Sequence, residues 1–373
     1  MDSITQAALG AACGQAVLGH RVGRRAALWG ALAGTLPDLD ILAYPFLDTA
    51  AELAFHRGPT HALLFAPVVA PVLGVLVWGF YRRRGSPAAD AGWRAWAWLF
   101  FWALWTHPIL DVFTVYGTQI FWPFSDYPAE IGSVFIIDPL YTLPLLVAVG
   151  VGLYRRSGPG VRRAAAVGLA VSTAYLGWSL VAQQIARQAI AQAYAEAGIA
   201  TERILVAAAP LTTFAWYAVG HTGESLVPAR ARLFASPCAV RLGEAVPRAT
   251  WPADLATTRG VRRLEWFSHG YLARVGGTDR APVVADVRFG QVPEPLRRGD
   301  GPAYTFAWQV RPPESAPPGA APPGDVALEQ QPVEAAFSLA GVRRALADEL
   351  GRGALACDAR PAAPAAQAGP RGR

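Results

Sequence analysis

The sequence predicts an α-helical membrane bundle of five or six transmembrane segments, followed by a small β-rich extracytoplasmic domain. Three observations carry that expectation. Hydrophobic residues make up 53% of the 373 and charged residues only 16%, a balance wrong for a soluble globular chain and right for one with several membrane spans. The apolar residues of the first half are gathered into long uncharged runs. The basic residues, all arginine because the chain holds no lysine, fall in short clusters between those runs.

Residues 3–18 form a short segment dominated by small side chains. Gly10 and Gly14 make a GxxxG step, and Gly30 and Gly34 repeat it in the next segment, residues 26–47. Small faces let helices approach closely, so these two segments read as a packed pair. Residues 62–81 are uncharged and, at ~1.5 Å per residue, long enough to cross a hydrocarbon core. Pro67 and Pro71 lie inside this run, which a membrane helix tolerates when its neighbours satisfy the freed carbonyls. Residues 95–110, dense in Trp, and residues 132–154 and 164–185 are three further apolar segments. Together these make a transmembrane unit over residues 1–185.

The arginines set the orientation. They cluster at Arg21, Arg24 and Arg25, at Arg82, Arg83 and Arg84 with Arg94, and at Arg155, Arg156, Arg162 and Arg163, whereas loop 48–60 carries one and loop 114–131 none. By the positive-inside rule the basic loops face the cytoplasm and the chain after the last span emerges on the outer side. The expected location is the bacterial inner membrane, multi-pass, with the C-terminal domain periplasmic or extracellular. The net charge of +6 is therefore a topology signal, and no nucleic-acid partner is expected. The N-terminus lacks the basic region of a secretory signal.

From residue 186 the pattern changes. A polar helical stretch at 187–197 leads into runs at 203–208, 212–219, 283–289 and 304–310, which are rich in Val, Phe, Tyr and Trp; several alternate apolar with polar and read as strands. A β-rich domain over residues 186–350 follows, with a Pro/Ala/Gly-rich loop at 312–323 and a low-complexity tail at 351–373 expected to be disordered. Cys13, Cys238 and Cys357 fit no CxxC spacing. Cys238 and Cys357 stand open between a disulfide and two separate thiols.

Four clusters in the membrane half carry chemistry, because each ionisable group there costs roughly 2.5 to 3.5 kcal/mol on insertion scales. In Pro37-Asp38-Leu39-Asp40 the proline exposes carbonyls and two carboxylates offer hard oxygen ligands; a turn with a capping aspartate is the plain alternative. In His56-Arg57-Gly58-Pro59-Thr60-His61 two imidazoles flank a tight turn, and neutral imidazole is the commonest ligand for zinc-like metals. Arg57 between them can clamp an anionic oxygen. His107-Pro108-Ile109-Leu110-Asp111 places imidazole and carboxylate on one helical face at i,i+4, either as joint ligands or as a buried packing pair. Asp138-Pro139 reads as a helix start or as one more carboxylate for the site. The orientation deduced from the arginines puts all four clusters on the same leaflet, which unrelated structural roles would have no reason to share.

These motifs resemble the bacterial inner-membrane, LexA-regulated metal-dependent hydrolases of the YdjM family. The likeness rests on Met1-Asp2-Ser3-Ile4-Thr5-Gln6, Leu36-Pro37-Asp38-Leu39-Asp40, the His56–His61 block, and His107 to Asp111 with Thr114 and Tyr116-Gly117-Thr118. It covers the first half of the chain. Many members carry Thr-His where this chain has Thr5-Gln6.

The function expected is hydrolysis of an ester or phosphoester, lipid or envelope-linked, at the outer face of the membrane. One or two divalent metals, Zn²⁺ or alternatively Mn²⁺, are expected on His56, His61, His107 and Asp111, with Asp38, Asp40 or Asp138 completing the shell. Such an ion activates water at neutral pH, Asp40 is the expected general base, and Arg57 stabilises developing charge. Membrane lipids are the expected partners. Two rivals are a metal-stabilised envelope scaffold without catalysis and a metal or ion transporter, the latter disfavoured by the few polar groups in the inner halves of the spans.

Overall fold

The computed structural model describes residues 1–234, 240–292, 296–297, 303–315, 321, 324–333, 340–341 and 343–344. Cys238, Cys357 and the tail at 351–373 lie outside the described residues.

The first helix, α1 (Ser3–Val22), starts at Asp2, whose carboxylate accepts from the N–H groups of Ile4 and Thr5 and so satisfies two donors left over at the helix start. It lies against α2 (Arg24–Thr35) with backbones in contact. A Cβ built on Gly10 would stand 2.2 Å from the Gly30 carbonyl oxygen, and one on Gly34 would stand 2.4 Å from that of Gln6. The GxxxG steps therefore do what their spacing predicts. Beyond α2 the chain tightens into a 3₁₀ stretch, Pro37–Phe46, because Pro37 and Pro45 remove backbone donors. Then come α3 (Thr49–Phe55), a turn through His56 to His61, and the helices α4 (Phe65–Arg83), α5 (Trp93–Val112), α6 (Pro139–Arg155) and α7 (Pro159–Glu196).

By length and composition two of these helices, α4 and α7, can cross a membrane, and α6 is apolar but shorter. Five or six spans were expected, and the difference has local causes. The segment at residues 26–47 is split between a 12-residue helix, about 18 Å long, and the 3₁₀ stretch. Helix α1 is enriched in Gly, Ala and Gln and is packed inside the bundle by α2, α5, α6 and α7. Helix α5 draws its bulk from Trp, whose indole N–H lowers its hydropathy.

Helix α7 has 38 residues, about 57 Å, far more than a hydrocarbon core of ~30 Å. Its second half leaves the apolar zone and becomes the core of the first sheet. Ala182, Ala186, Ile190 and Tyr194 bury against Trp216, Val227 and Ala229, and the Tyr194 hydroxyl donates to the Val227 carbonyl at 2.6 Å.

That sheet is an antiparallel meander of β1 (Arg203–Ala208), β2 (Ala215–His221), β3 (Ser225–Arg232) and β4 (Val240–Leu242), with β5 (Val246–Pro247) also paired to β3. Two helices, α8 (Ala253–Ala256) and α9 (Arg259–Ser268), lead to a second meander of β6 (Leu272–Gly277), β7 (Pro282–Asp286), β8 (Ala307–Arg311) and β9 (Ala327–Gln330). A helical N-terminal region followed by a β-rich domain is thus the architecture, as the change of pattern near residue 186 implies.

The second sheet rests on the helical half. Leu264 and Phe267 of α9 share a core with Ala50 and Leu53 of α3, and Arg259 pairs with Asp48 at 2.6 Å and Asp325 at 3.0 Å. A second tie is buried: Arg288 meets Asp286 at 2.7 Å and Glu130 at 2.6 Å, and donates to the Val115 carbonyl. One guanidinium cannot neutralise two buried carboxylates. Nearby His269 supplies no second cation, since burial and the charge of Arg288 push it down to about 4. Burial accordingly pushes the Glu130 carboxyl up to about 7, Arg288 offsetting only part of the effect. The folded chain then keeps a Glu130 proton that the unfolded chain has released, so the Glu130 contribution to stability declines as pH rises from the ordinary glutamate range through about 7 and levels off above it, while the depressed His269 contributes in the opposite sense as pH rises from about 4. Glu130→Gln keeps an acceptor for Arg288 and removes the declining contribution, so Tm of the variant relative to wild type is expected to rise with pH across this window in detergent. An unchanged slope would assign the pH dependence elsewhere.

Candidate metal centre

The centre is assembled from three places that the fold brings to one end of the bundle. The 3₁₀ stretch after α2 supplies Asp38, the turn before α4 supplies His61, and the last turns of α5 supply His107 and Asp111. Among the described residues these four offer ligand atoms that all lie within 4.8 Å of one another, and His61, His107 and Asp111 are buried.

Each imidazole is held so that its Nε2 faces the centre. His107 Nδ1 lies 2.6 Å from the Gly34 carbonyl, one of the carbonyls left over at the end of α2, so it must donate there. His61 Nδ1 lies 3.0 Å from the Thr60 hydroxyl, which in turn donates to Asp40. Both Nε2 atoms are thereby lone-pair acceptors, yet they face each other at 3.1 Å. Asp38 Oδ1 lies 3.4 Å from each of them, and Asp111 Oδ2 lies 3.4 Å from His61 and 3.3 Å from His107. Asp111 Oδ2 is buried without a hydrogen-bond partner, whereas Oδ1 of the same carboxylate receives the Met1 amino group and the Gln6 side-chain amide at 3.1 Å.

Four electron-pair donors converging without donors among them is the arrangement a cation stabilises. The spacing fits as well. A tetrahedron's edge is about 1.6 times its centre-to-vertex distance, so edges near 3.3 Å enclose a centre about 2.0 Å from each vertex, the usual Zn–N and Zn–O distance. Five of the six edges lie between 3.1 and 3.4 Å.

The remaining predicted residues stand around this set. Asp40 lies behind His61, its oxygens taken up by His56 Nδ1 at 3.0 Å and the Arg57 backbone N–H at 3.0 Å. It orients the turn, and its geometry does not suit the general base expected of it. His56 contacts Asp40 and the Tyr116 ring, 5.2 Å away, and is not among the four donors. Asp138 is not among the four donors: one oxygen caps α6 and the other accepts from the Tyr175 hydroxyl at 2.8 Å. The ligand role expected for these two is not met by the geometry, because His56 is turned toward Asp40 and Asp138 is committed to its helix start. Arg57 does reach the centre. Its backbone is left-handed, with φ 56°, and its guanidinium lies over the Tyr116 ring at 4.7 Å, donates to Thr114 at 3.0 Å and approaches Asp111 at 3.6 Å.

Residues 1–186 match the YdjM inner membrane protein family. Through this half the chain belongs to the YdjM inner membrane protein family. It is a membrane protein, and its apolar helices agree with that placement. Among curated relatives it is 32% identical over 171 residues to the uncharacterized protein YfhP of Bacillus subtilis (strain 168), covering 43% of this chain and 49% of that one. It is 35% identical over 99 residues to the inner membrane protein YbcI of Escherichia coli (strain K12), covering 26% of this chain and 53% of that one. The chain thus spans about half the length of these relatives. No solved structure matches it.

Within the YdjM-family half, Gln6 and Met1 also act on the centre, a role that the motifs do not announce. The Gln6 amide donates to Asp111 Oδ1 and to the His107 carbonyl, so this departure from Thr-His still contributes to the centre. A glutamine within an apolar segment of small residues is the signal that the sequence offers.

Proposed function

We propose that this protein is a membrane-bound, metal-dependent hydrolase of ester or phosphoester bonds, working at the outer face of the inner membrane. The observation that carries the reading is the four-donor set of Asp38, His61, His107 and Asp111, of which Asp38 alone is partly exposed, with a guanidinium held against it. Zn²⁺ suits the spacing and the mixed nitrogen and oxygen donors, and Mn²⁺ is the alternative. When bound, the ion supplies Lewis acidity and activated water at neutral pH. Asp38 marks the side from which substrate and water enter. Arg57, oriented by Thr114 and Tyr116, offers positive charge to an anionic oxygen of the substrate. Asp40 and Thr60 hold His61 in the tautomer that presents Nε2 inward.

Orientation is supported by the arginines. Arg82 and Arg83 close α4 at the end opposite His61, and Arg155 closes α6 at the end opposite Asp138. The positive-inside rule then puts the metal centre and the β-rich domain outside the cytoplasm.

The closed character of a four-donor set favours a second reading, in which the metal is structural and the protein is an envelope scaffold. Turnover separates the two. Full-length protein in nanodiscs, loaded with Zn²⁺ or Mn²⁺, is expected to hydrolyse p-nitrophenyl esters or phosphoesters, to lose the activity to a chelator and to regain it with metal. Arg57→Lys is expected to keep the metal and lower kcat by about 10²-fold. A metal-replete protein silent on both substrate classes would leave the scaffold.

A further inference from the structure

We infer that an apolar rim around Asp38 is a lipid-docking surface that seats the metal centre at headgroup depth, so that the substrate is an amphiphile taken from the membrane leaflet. The inference rests on the hydrolase reading for its substrate and on the exposed surface for its docking.

Two segments make the rim. The 3₁₀ stretch that carries Asp38 also carries Leu39, Leu42 and Phe46, of which Leu42 is 68% and Phe46 87% exposed. The loop at residues 120–124 presents Phe121, Trp122 and Phe124, the last 85% exposed. Both segments are fixed to the centre. Gln119 N–H donates to the Arg57 carbonyl at 2.9 Å, and Leu63 N–H donates to the Ile120 carbonyl at 3.0 Å, which fastens the loop to the chain just before α4. Apart from buried Asp40, residues 39–47 carry no charge, and neither do residues 120–124.

The occupant follows from continuity. Helix α4 is apolar enough to span a membrane, and its exposed face, including Val68, Val72 and Leu76, is the surface that meets acyl chains. The rim begins where α4 begins, so it extends that surface around the mouth of the centre. Large apolar side chains so exposed are expensive in water and favourable at a bilayer boundary, where tryptophan is also enriched. A substrate reaching Asp38 past this rim has its apolar part among the rim residues and its ester or phosphoester group at the four donors. A phospholipid-like molecule meets both demands.

The test uses the full chain in phospholipid nanodiscs. Cys13, Cys238 and Cys357 are replaced by serine, and an environment-sensitive fluorophore is placed through Phe46→Cys or Phe124→Cys, with Asp279→Cys on the β-rich domain as control. Doxyl-labelled phospholipid is expected to quench the two rim positions several-fold more than the control, and aqueous iodide is expected to do the reverse. Iodide reaching the rim labels as it reaches the control would overturn the docking surface, whatever the enzyme does. The substrate class is read separately from rates on a nanodisc-embedded fluorogenic phospholipid and on a soluble p-nitrophenyl analogue. Wild type is expected to prefer the embedded substrate, and Phe46→Ser with Phe124→Ser is expected to narrow that preference by about tenfold. An unchanged preference would overturn the amphiphile assignment. Inactivity on both substrates would remove the hydrolase reading while the quenching result still decides the rim.

Discussion

Asp111→Asn is expected to abolish stoichiometric metal binding while leaving the protein folded. The wild-type chain should carry one equivalent of Zn²⁺ or Mn²⁺ by metal analysis of detergent-purified protein. Asparagine retains the shape of the carboxylate and can still accept from the Met1 amino group and the Gln6 amide, which now meet Oδ1. What it loses is the charge on Oδ2, the buried atom that has no other partner. A direct ligand should therefore cost more than the ~10–100-fold typical of an outer partner. His61→Ala removes a second donor and should give the same result.

The geometry also predicts which changes are mild. His56→Ala should keep the stoichiometry and weaken affinity by about 10–100-fold, because His56 acts through Asp40 and the Tyr116 ring and is not itself a donor. Asp138→Asn should leave metal content unchanged. Full metal content in both Asp111→Asn and His61→Ala would show that the centre is not where the four donors converge.

The second large effect is expected at the contact between α1 and α2. Gly30→Val would force a Cβ to within 2.2 Å of the Gly10 carbonyl oxygen and 2.9 Å of its carbon. Both are backbone atoms, so no side chain can rotate away and the helices must separate. Overpacking of this kind costs about 1–3 kcal/mol and occasionally more; a backbone collision belongs at the upper end. The damage should also reach the metal. The Gly34 carbonyl at the end of α2 fixes His107 Nδ1, so a displaced α2 frees the imidazole to rotate. Loss of thermal stability and of metal affinity together is the expected result. Gly79→Ala on α4 is the control, because its Cβ would meet nothing within 4 Å; it should raise stability by roughly 0.5–1 kcal/mol through reduced chain entropy. Equal behaviour of the two variants would mean that α1 and α2 are not in backbone contact.

Much of this was legible in the residues. The GxxxG steps announced the helix pair, since nothing but close approach requires glycine at that spacing. Ionisable residues in apolar surroundings announced a site, and Asp38, His61, His107 and Asp111 were all among the candidates. The change to alternating patterns after residue 186 announced the β-rich domain. Segment lengths misled in one respect: an apolar stretch such as residues 26–47 does not reveal that its prolines divide it into a short helix and a 3₁₀ turn.

The sequence alone determined which residue types had to be explained in the membrane half, because burying a charge without a partner is costly wherever it lies. Only the tertiary structure decided which of them face one another. His56 and His61 look equivalent as a pair flanking a turn, yet the left-handed Arg57 between them turns one toward Asp40 and the other toward His107 and Asp111. Asp138 looks like another site carboxylate and is a helix cap, since its oxygens find donors at α6 and Tyr175 before they can reach the centre. The tie between Arg288 and Glu130 joins residues 158 positions apart. No local pattern encodes such a pair, because a long-range contact depends on how the intervening elements pack and not on the spacing of the residues that make it.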